Sequence, residues 1–476
     1  MIAAVTDRDL LIRTAHRAAD FLDGITDRPV GPPSELAALR ERLGGPLPAA
    51  GVEATRVIEE LADAAEPGLV ASAGPRYFGF VIGGSHRSSL AADWLTSAWD
   101  QNAAFYVMSP AAAVVEEVAG SWLLDLWGLP AESSVGFTTG ATMANFTALA
   151  AARHAVLERI GWNVEDDGLV GAPPVAVVIG EEAHATILAA LQMLGLGRAR
   201  VLRAPSDEQG RMRPEVLEGM LARVDGPAIV CAQAGNVNTG AFDPVEQIAP
   251  LVAAQPNAWL HVDAAFGLWA AAVPELEPLV RGLADADSWS TDAHKWLNVP
   301  YDCGVVVVRD AASHRAAMSM GAAYYVLTEG AERDSFAVVP ESSRRARGFT
   351  VYAALRELGR DGLAELVRRC CALAQRMAER LQTASGVAVL NDVVLNQVLV
   401  RFSAPDGGDD DAFTRAVIAA VQADGTCWLG GTTWHGKAAM RISVSNWQTT
   451  EEDADRSVDA ILRCAASVAG LRTAAR

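Results

Sequence analysis

Short apolar runs bounded by glycine or proline recur between about residue 110 and residue 310, and helical stretches separate them. Most of these runs are rich in β-branched residues and have few polar positions, which is typical of strands buried on both faces. Their alternation with helices predicts an α/β fold with a mainly parallel sheet covered by helices on both sides. The runs are VGFTT (135–139), VAVVI (175–179), RVLRA (200–204), AIVCA (228–232), WLHV (259–262) and GVVVV (304–308).

The start of the chain follows a different pattern. Residues 7 to about 70 have the pattern of short helices, which the stretches DRPVGPPS (27–34) and GGPLPAAG (44–51) interrupt. Helices this short have little core of their own. We therefore expect this segment to pack on another surface, for example that of a partner subunit.

The last hundred residues mix strands and helices again, which predicts a small α+β domain. The predicted elements are helices at about 361–383, near 411–423 and from about 450, and strands at 393–402 and 440–445. A chain of 476 residues exceeds the size of a single core, so several domains are expected. The predicted domains are an N-terminal helical arm (1–85), a large domain (86–360) and a small C-terminal domain (361–476).

Composition narrows the class of protein. With 51% apolar and 20% charged residues, the chain is too apolar to be disordered. The net charge of −19 argues against a nucleic-acid partner, which requires a basic surface. Six cysteines without a CxxC pair fit neither a disulfide framework nor a zinc site, so no metal is expected.

The chain also lacks the segments that direct proteins to membranes. MIAAVTDRDLLIR at the N-terminus has no charged region followed by an apolar core, so no signal peptide is predicted. No apolar run reaches the roughly 18 residues that a membrane-spanning helix needs. We expect no membrane partner and a cytoplasmic location.

Ligands of such sheets bind beyond the carboxyl ends of the strands, and four polar features lie there. GFTTGATMAN (136–145) leads from a strand into a helix, where backbone N–H groups and the Thr142 hydroxyl could bind an anion or simply cap the helix. In HVDAAFG (261–267), Asp263 ends an apolar strand and needs a partner, either a structural one or a ligand.

The other two features are a lysine and a histidine. Lys295 lies in TDAHKW (291–296), where an apolar neighbourhood could lower its pKa and make it a Schiff-base amine. His184 follows a buried strand. Each has a structural alternative, but the four features together supply what pyridoxal phosphate needs: a phosphate cradle, a ring stacker, a carboxylate and an amine.

The sequence resembles a known family at this point. HVDAAFG followed by ADSWSTDAHKWLNVPYDCG (286–304) resembles the pyridoxal-phosphate-dependent group II decarboxylases, which act on aromatic amino acids and glutamate. The resemblance runs from about residue 75 to residue 447. It implies a fold-type I enzyme with a seven-stranded type of sheet and pyridoxal 5'-phosphate as cofactor. It also implies a homodimer that shares its active sites, with the N-terminal arm on the partner subunit.

The resemblance gives each matching residue a role. Lys295 corresponds to the Schiff-base lysine, Asp263 to the acid on the pyridine nitrogen, and His184 to the histidine stacked on the ring. Asp292 falls where animal aromatic decarboxylases have a phosphate-contacting asparagine, and a carboxylate there would repel a phosphate. The remaining expected cofactor contacts are Ala141 and Thr142 at the phosphate turn, Asn236 near the phenolic oxygen, Ala265 under the ring, and His294.

A tyrosine in MGAAYYVL (320–327) bears on the reaction. Tyr324 matches the mobile-loop tyrosine that, in the family, returns a proton to the substrate carbon after carbon dioxide leaves, although Tyr325 is an alternative. A phenylalanine there would resemble relatives that release an aldehyde, so Tyr324 favours simple decarboxylation. The polar segment that follows, 328–348, suits a loop that closes over substrate.

The substrate is expected to be an L-amino acid, most readily an aromatic one, which is converted to its amine and carbon dioxide. Gly79 replaces a tyrosine of the animal enzymes, so the aromatic walls have changed. Glutamate, aspartate or 2,4-diaminobutyrate are alternative substrates; an aminotransferase, an aldehyde synthase or a non-catalytic relative are alternative functions. The predicted pocket residues are Phe80, Ile82, Ala104, Phe105 and Trp434.

Overall fold

The computed structural model describes residues 6–31, 35–320, 333–405 and 407–474. The described chain begins with four α-helices, and the first starts with a capping box in which Thr6 and Asp9 satisfy each other's backbone N–H groups. They are α1 (Asp7–Asp23), α2 (Leu36–Leu43), α3 (Ala54–Ala65) and α4 (Arg87–Trp99). Arg76 ties this segment to the C-terminal part, because its guanidinium donates to the carbonyls of Thr26 and Thr426 and pairs with Asp453.

Strands and helices then alternate as the apolar runs predict. The helices are α5 (Pro110–Trp127), α6 (Ala141–Glu158), α7 (Val164–Asp167), α8 (Ala185–Met193), α9 (Pro214–Leu221), α10 (Val245–Ala253), α11 (Glu277–Val280) and α12 (Ala311–Met318). The strands are β1 (Ser134–Thr138), β2 (Ala176–Gly180), β3 (Leu202–Ala204), β4 (Ala228–Gln233), β5 (Ala258–Asp263), β6 (Ser288–Asp292) and β7 (Gly304–Val308).

These strands form one sheet in the order β1-β7-β6-β5-β4-β2-β3. Strands β3, β2, β4, β5 and β6 are parallel to their neighbours, and β7 runs antiparallel between β6 and β1. The expected mainly parallel, seven-stranded sheet is confirmed. Its carboxyl ends bring the last residues of β5 and β6, Asp263 and Asp292, to the same edge.

Helix α6 crosses one face of the sheet because small side chains line it. Ala144, Ala148, Ala151 and Ala152 are fully buried there in one apolar cluster with residues of β7 and α8, such as Val306. Small residues let the helix approach the strands closely. The approach places the N-terminus of α6 at the carboxyl edge of the sheet.

The C-terminal part contains a second, antiparallel sheet in the order β10-β11-β9-β8, as expected of a small α+β unit. Its elements are α13 (Gly348–Gln382), β8 (Val387–Val389), β9 (Gln397–Phe402), α14 (Asp410–Asp424), β10 (Gly430–Trp434), β11 (Lys437–Ser443) and α15 (Glu451–Ala474). Helix α13 is interrupted at Gly359, where φ is 60°. The exact domain boundaries stay a prediction.

Several strands differ from the predicted elements. Strand β9 begins at Gln397 and not at 393, since the preceding Asn396 uses its side-chain amide to bind the carbonyl of Val444. Strands β6, β8 and β10 were not predicted: β6 is mostly polar, β8 has only three residues, and β10 begins with two glycines.

Within the described ranges, no helix is long and apolar enough to cross a membrane. Across the same residues, no group of three or more His, Cys, Asp or Glu side chains is placed to hold a metal ion. The cytoplasmic location stays a prediction of the sequence.

Candidate active site

A cavity of about 360 Å³ opens at the carboxyl edge of the large sheet, beside the start of α6. Seven of the residues that the sequence assigns to the cofactor line it: Ala141, Thr142, His184, Ala265, Asp292, His294 and Lys295. Thr139, Gly140, Met143, Thr186 and Tyr301 complete the wall. Residues from four separate segments of the chain therefore meet at one place.

The turn between β1 and α6 forms an anion cradle. Helix α6 begins at Ala141, so the first N–H groups of an 18-residue helix face this end of the cavity. The turn packs directly on Gly304, where a Cβ atom would overlap the backbone of Gly140. A glycine at 304 is thus what allows the cradle to approach β7.

Lys295 presents its amine to the cavity from the loop that follows β6. The Lys295 Nζ atom lies 3.0 Å from Asp292 Oδ2 and 6.0 Å from the centre of the Phe266 ring. The side chain is mostly buried but reaches solvent through the cavity. An amine in this position can react with a carbonyl compound that enters the cavity.

Asp263 is the last residue of β5 and is only 3% exposed. Its two carboxylate oxygens accept hydrogen bonds from the backbone N–H of Ala265 and from Asn145 Nδ2, both at 3.2 Å. Asp263 also lines a much smaller space next to His184. The carboxylate is therefore held in one orientation beneath the cavity.

Asn145 is a site residue that the sequence motifs do not single out. Its Oδ1 atom accepts from Ser290 Oγ at 2.5 Å and contacts His261 Nε2 at 2.9 Å. Burial lowers the pKa of His261 to about 3, so the ring is neutral and donates from Nε2. Asn145 lies one helical turn after Ala141, on the same face of α6, and that spacing could have revealed it.

His184 caps the start of α8 and faces the cavity with its ring. Its Nδ1 atom accepts a weak hydrogen bond from the Thr186 N–H at 3.4 Å and lies 2.8 Å from Thr186 Oγ1. Desolvation by the surrounding protein lowers the pKa of His184. A neutral ring with an open face can stack on a planar ligand.

His294 and Asp292 form another part of the cavity wall. His294 Nδ1 accepts from the Cys303 N–H at 3.1 Å, and its ring lies 4.3 Å from that of Tyr301. Burial lowers the pKa of His294, which favours the neutral imidazole. Asp292 Oδ1 accepts from the Ala141 N–H at 2.6 Å, so this carboxylate sits inside the anion cradle.

Two of the predicted cofactor contacts, Asn236 and Asp263, are not among the residues that line this cavity. Asn236 does not line it: its Oδ1 atom accepts from the backbone N–H groups of Asn238 and Thr239, which closes a local turn. Tyr324 and Tyr325, the candidates for the loop proton donor, lie outside the described residues.

The predicted substrate-pocket residues differ in how deeply they are buried. Phe80 is 60% exposed, and Ile82 is half-buried. Phe105 packs against Phe336 with ring centres 4.5 Å apart. Ala104 is fully buried, and Trp434 is buried against Leu399 and Ala439.

Arg441 is a second residue that the motif analysis passed over. It lies on β11, donates to the carbonyl of Val237 at 3.2 Å, and is close enough to His184 to lower that residue's pKa. Its Nε atom is buried and has no hydrogen-bond partner in the described part of the chain. Burial lowers the pKa of the guanidinium itself. A single arginine in an apolar strand was the signal in the sequence.

Comparison with known proteins shows which family this chain resembles. Residues 38–404 match the model of the pyridoxal-dependent decarboxylase conserved domain. The chain is 33% identical to the L-2,4-diaminobutyrate decarboxylase of Rhizobium meliloti, over 78% of this chain and 74% of the relative. It is 27% identical to tryptophan decarboxylase 1 of Oryza sativa, over 90% and 89%. The crystal structure of Oryza sativa TDC with PLP and tryptamine superposes with a TM-score of 0.89 at 24% identity, over 97% of both chains.

The residues at the cavity fit pyridoxal 5'-phosphate. The N–H groups at the start of α6 suit its phosphate and the Lys295 amine suits its aldehyde. His184 and Ala265 would flank its ring, and the Asp263 carboxylate would pair with its ring nitrogen. The Asp292 carboxylate is the feature that departs from this fit, since it opposes a phosphate. On sequence and site together, this chain belongs to the pyridoxal-dependent decarboxylase family, with pyridoxal phosphate as its cofactor.

Proposed function

We propose that this carboxy-lyase decarboxylates aromatic L-amino acids to their amines. The observation that carries the proposal is a stack of three aromatic rings next to the cavity. Trp428 lies in the middle, with its ring centre 5.0 Å from that of Tyr77 and 5.9 Å from that of Phe80. The interplanar angles are 4° and 16°, so the three rings are nearly parallel, and Phe80 at the end of the stack is 60% exposed and can accept another ring.

This stack adjoins the reacting groups. The segment that carries Phe80 passes so close to Lys295 that a Cβ atom on Gly83 would overlap the Lys295 carbonyl. At the other end, burial, the Asp292 carboxylate and Tyr77 raise the pKa of Tyr301, a cavity residue, to about 12. A substrate side chain that extends from the cavity would meet an aromatic surface.

Each residue then has a defined task. Pyridoxal phosphate, when bound, supplies the electron sink that lets the bond to the substrate carboxylate break. Lys295 would hold the cofactor through its amine, and Asp263 would keep a proton on the ring nitrogen. His184 would cover the ring and exclude water. We assign to Tyr324 the return of a proton to the substrate's α-carbon.

The test is a substrate panel in which carbon dioxide release and amine formation are measured for all twenty amino acids, dopa and 2,4-diaminobutyrate. We expect tryptophan, tyrosine, phenylalanine or dopa to give the highest kcat/KM. Phe80→Ala should lower that value about tenfold, a typical cost of one lost ring contact. Val170→Ala, which trims a fully exposed side chain elsewhere, is the matched control. A preference for an acidic or diamino substrate would overturn the aromatic assignment, and keto acid or aldehyde as product would overturn decarboxylation to the amine.

Arg441 favours a second candidate, an acidic amino acid. A guanidinium near His184 whose buried Nε–H has no partner among the described residues is suited to a substrate carboxylate. If this candidate holds, the panel ranks glutamate or aspartate first, and Arg441→Leu raises KM for the acidic substrate far more than for an aromatic one.

We further propose that the protein is a homodimer that shares its active sites. The N-terminal helices leave large apolar side chains in solvent, among them Leu11 at 64%, Leu36 at 61% and Leu61 at 54% exposure. Surfaces of this kind commonly mark protein–protein contacts.

Sedimentation is expected to give twice the chain mass of 50.1 kDa. The double variant Leu36→Asp, Leu61→Asp should shift the protein toward monomer, since burying two carboxylates is costly. Leu471→Asp, at an equally exposed leucine of α15, should not. A monomeric wild-type chain would contradict the dimer.

A further inference from the structure

The Asp292 carboxylate occupies the place where the cofactor's phosphate is expected. Its Oδ1 atom accepts from the Ala141 N–H at 2.6 Å. This N–H is the first of α6 and has no partner inside the helix, so it is one of the groups that would bind an anion. A hydrogen atom engaged by a carboxylate is not available to a phosphate oxygen.

Asp292 is also fixed in place. Its backbone N–H donates to the carbonyl of Ala265 at 2.8 Å, and its own carbonyl accepts from Trp269 Nε1 at 3.1 Å. The residue is 3% exposed at the end of a fully buried strand. The carboxylate therefore has little room to move away from the cradle.

Two basic side chains lie near the Asp292 carboxylate. Lys295 Nζ, at 3.0 Å, is the cation that compensates the carboxylate, and His294 Nε2 lies 3.5 Å away. The Lys295 amine is the group that would hold the cofactor's aldehyde. Lys295, which neutralises Asp292, would then also bind the aldehyde of the ligand whose phosphate Asp292 repels.

We propose that Asp292 lowers the affinity of this enzyme for pyridoxal phosphate, and that it does so only by repelling the phosphate group. Two negative groups within a few ångströms in a buried site repel each other strongly. The inference rests on the cofactor of the family and not on the substrate class. It predicts that the enzyme exchanges its cofactor more readily than a chain with a neutral residue at 292 would.

The test compares Asp292→Asn with wild type. Asparagine has nearly the same shape and keeps an oxygen for the Ala141 N–H, but it removes the charge. The full-length chain, freed of cofactor by dialysis against hydroxylamine, is titrated with pyridoxal phosphate and separately with pyridoxal, and tryptophan fluorescence reports binding. We expect the variant to bind pyridoxal phosphate at least tenfold more tightly, while the Kd for pyridoxal changes less than threefold.

Each other result would overturn the proposal. Equal or weaker binding of pyridoxal phosphate by Asp292→Asn would show that the carboxylate does not oppose the phosphate. Equal tightening for pyridoxal would show that the effect acts through the Lys295 amine. Glu182→Gln, which removes the same charge beside the smaller space near His184, should leave both Kd values unchanged. Asp292→Ser serves as the second neutral variant if the asparagine chain does not fold.

Discussion

Lys295→Ala is expected to abolish carbon dioxide release, with a loss of kcat of at least about a thousandfold. The amine is the group in the cavity that can hold the cofactor covalently, and alanine leaves nothing to replace it. The chain contains two lysines, Lys295 and Lys437, so a covalent link to a lysine has only two possible sites. Lys437 is exposed at the start of β11, outside the cavity.

Borohydride reduction followed by peptide mass spectrometry decides between the two. We expect the wild-type chain to carry the cofactor on the peptide that contains Lys295, and Lys295→Ala to carry none. Lys437→Ala is the matched control and should keep both the modified peptide and full activity. Modification at Lys437, or measurable turnover by Lys295→Ala, would contradict the assignment.

The architecture of the large sheet could be predicted because each strand is encoded by a short, continuous pattern of apolar residues. A run such as AIVCA has no polar face, so it must be covered on both sides, and helices must alternate with such runs. The strand ends then indicate where ligands bind. The break in α13 at Gly359 depends on a single left-handed residue, and a helical pattern in the sequence does not report it.

The candidate site was predictable where its chemistry lies within one motif. Asp292 ends β6 and Lys295 follows three residues later, and Asp263 ends the neighbouring strand. Contacts between distant segments were not predictable: Asn145 reaches Asp263 across 118 positions, and no local pattern encodes that pairing.

The proposed stack of Tyr77, Trp428 and Phe80 also depends on a contact between distant segments. Glycine at 79 suggested a lost ring, but a Cβ atom at that position would overlap the ring of Trp428, which comes from the C-terminal part of the chain. Trp428 therefore fills the space of a side chain at position 79 and adds a ring between Tyr77 and Phe80. A substitution can be compensated from a segment that only the fold brings close.

Asp263→Asn is expected to reduce kcat by about a hundredfold to a thousandfold while the cofactor stays bound. A carboxylate stabilises a proton on the ring nitrogen, and an amide does not, so the electron sink weakens. Asparagine can still accept from the Ala265 N–H, and Lys295 is untouched. The expected signature is thus an inactive chain that borohydride still labels at Lys295, which distinguishes this variant from Lys295→Ala.

The hydrogen bonds around Asp263 sharpen that prediction. Asn145→Ala removes one of its two donors but keeps the charge, so we expect a smaller loss of kcat, about tenfold, from a misplaced carboxylate. Asp263→Glu also keeps the charge and should recover part of the activity lost in Asp263→Asn. Steady-state kinetics of the three variants on one substrate measures this order. If Asp263→Asn is as active as Asn145→Ala, the charge of Asp263 does not matter and its role is only structural.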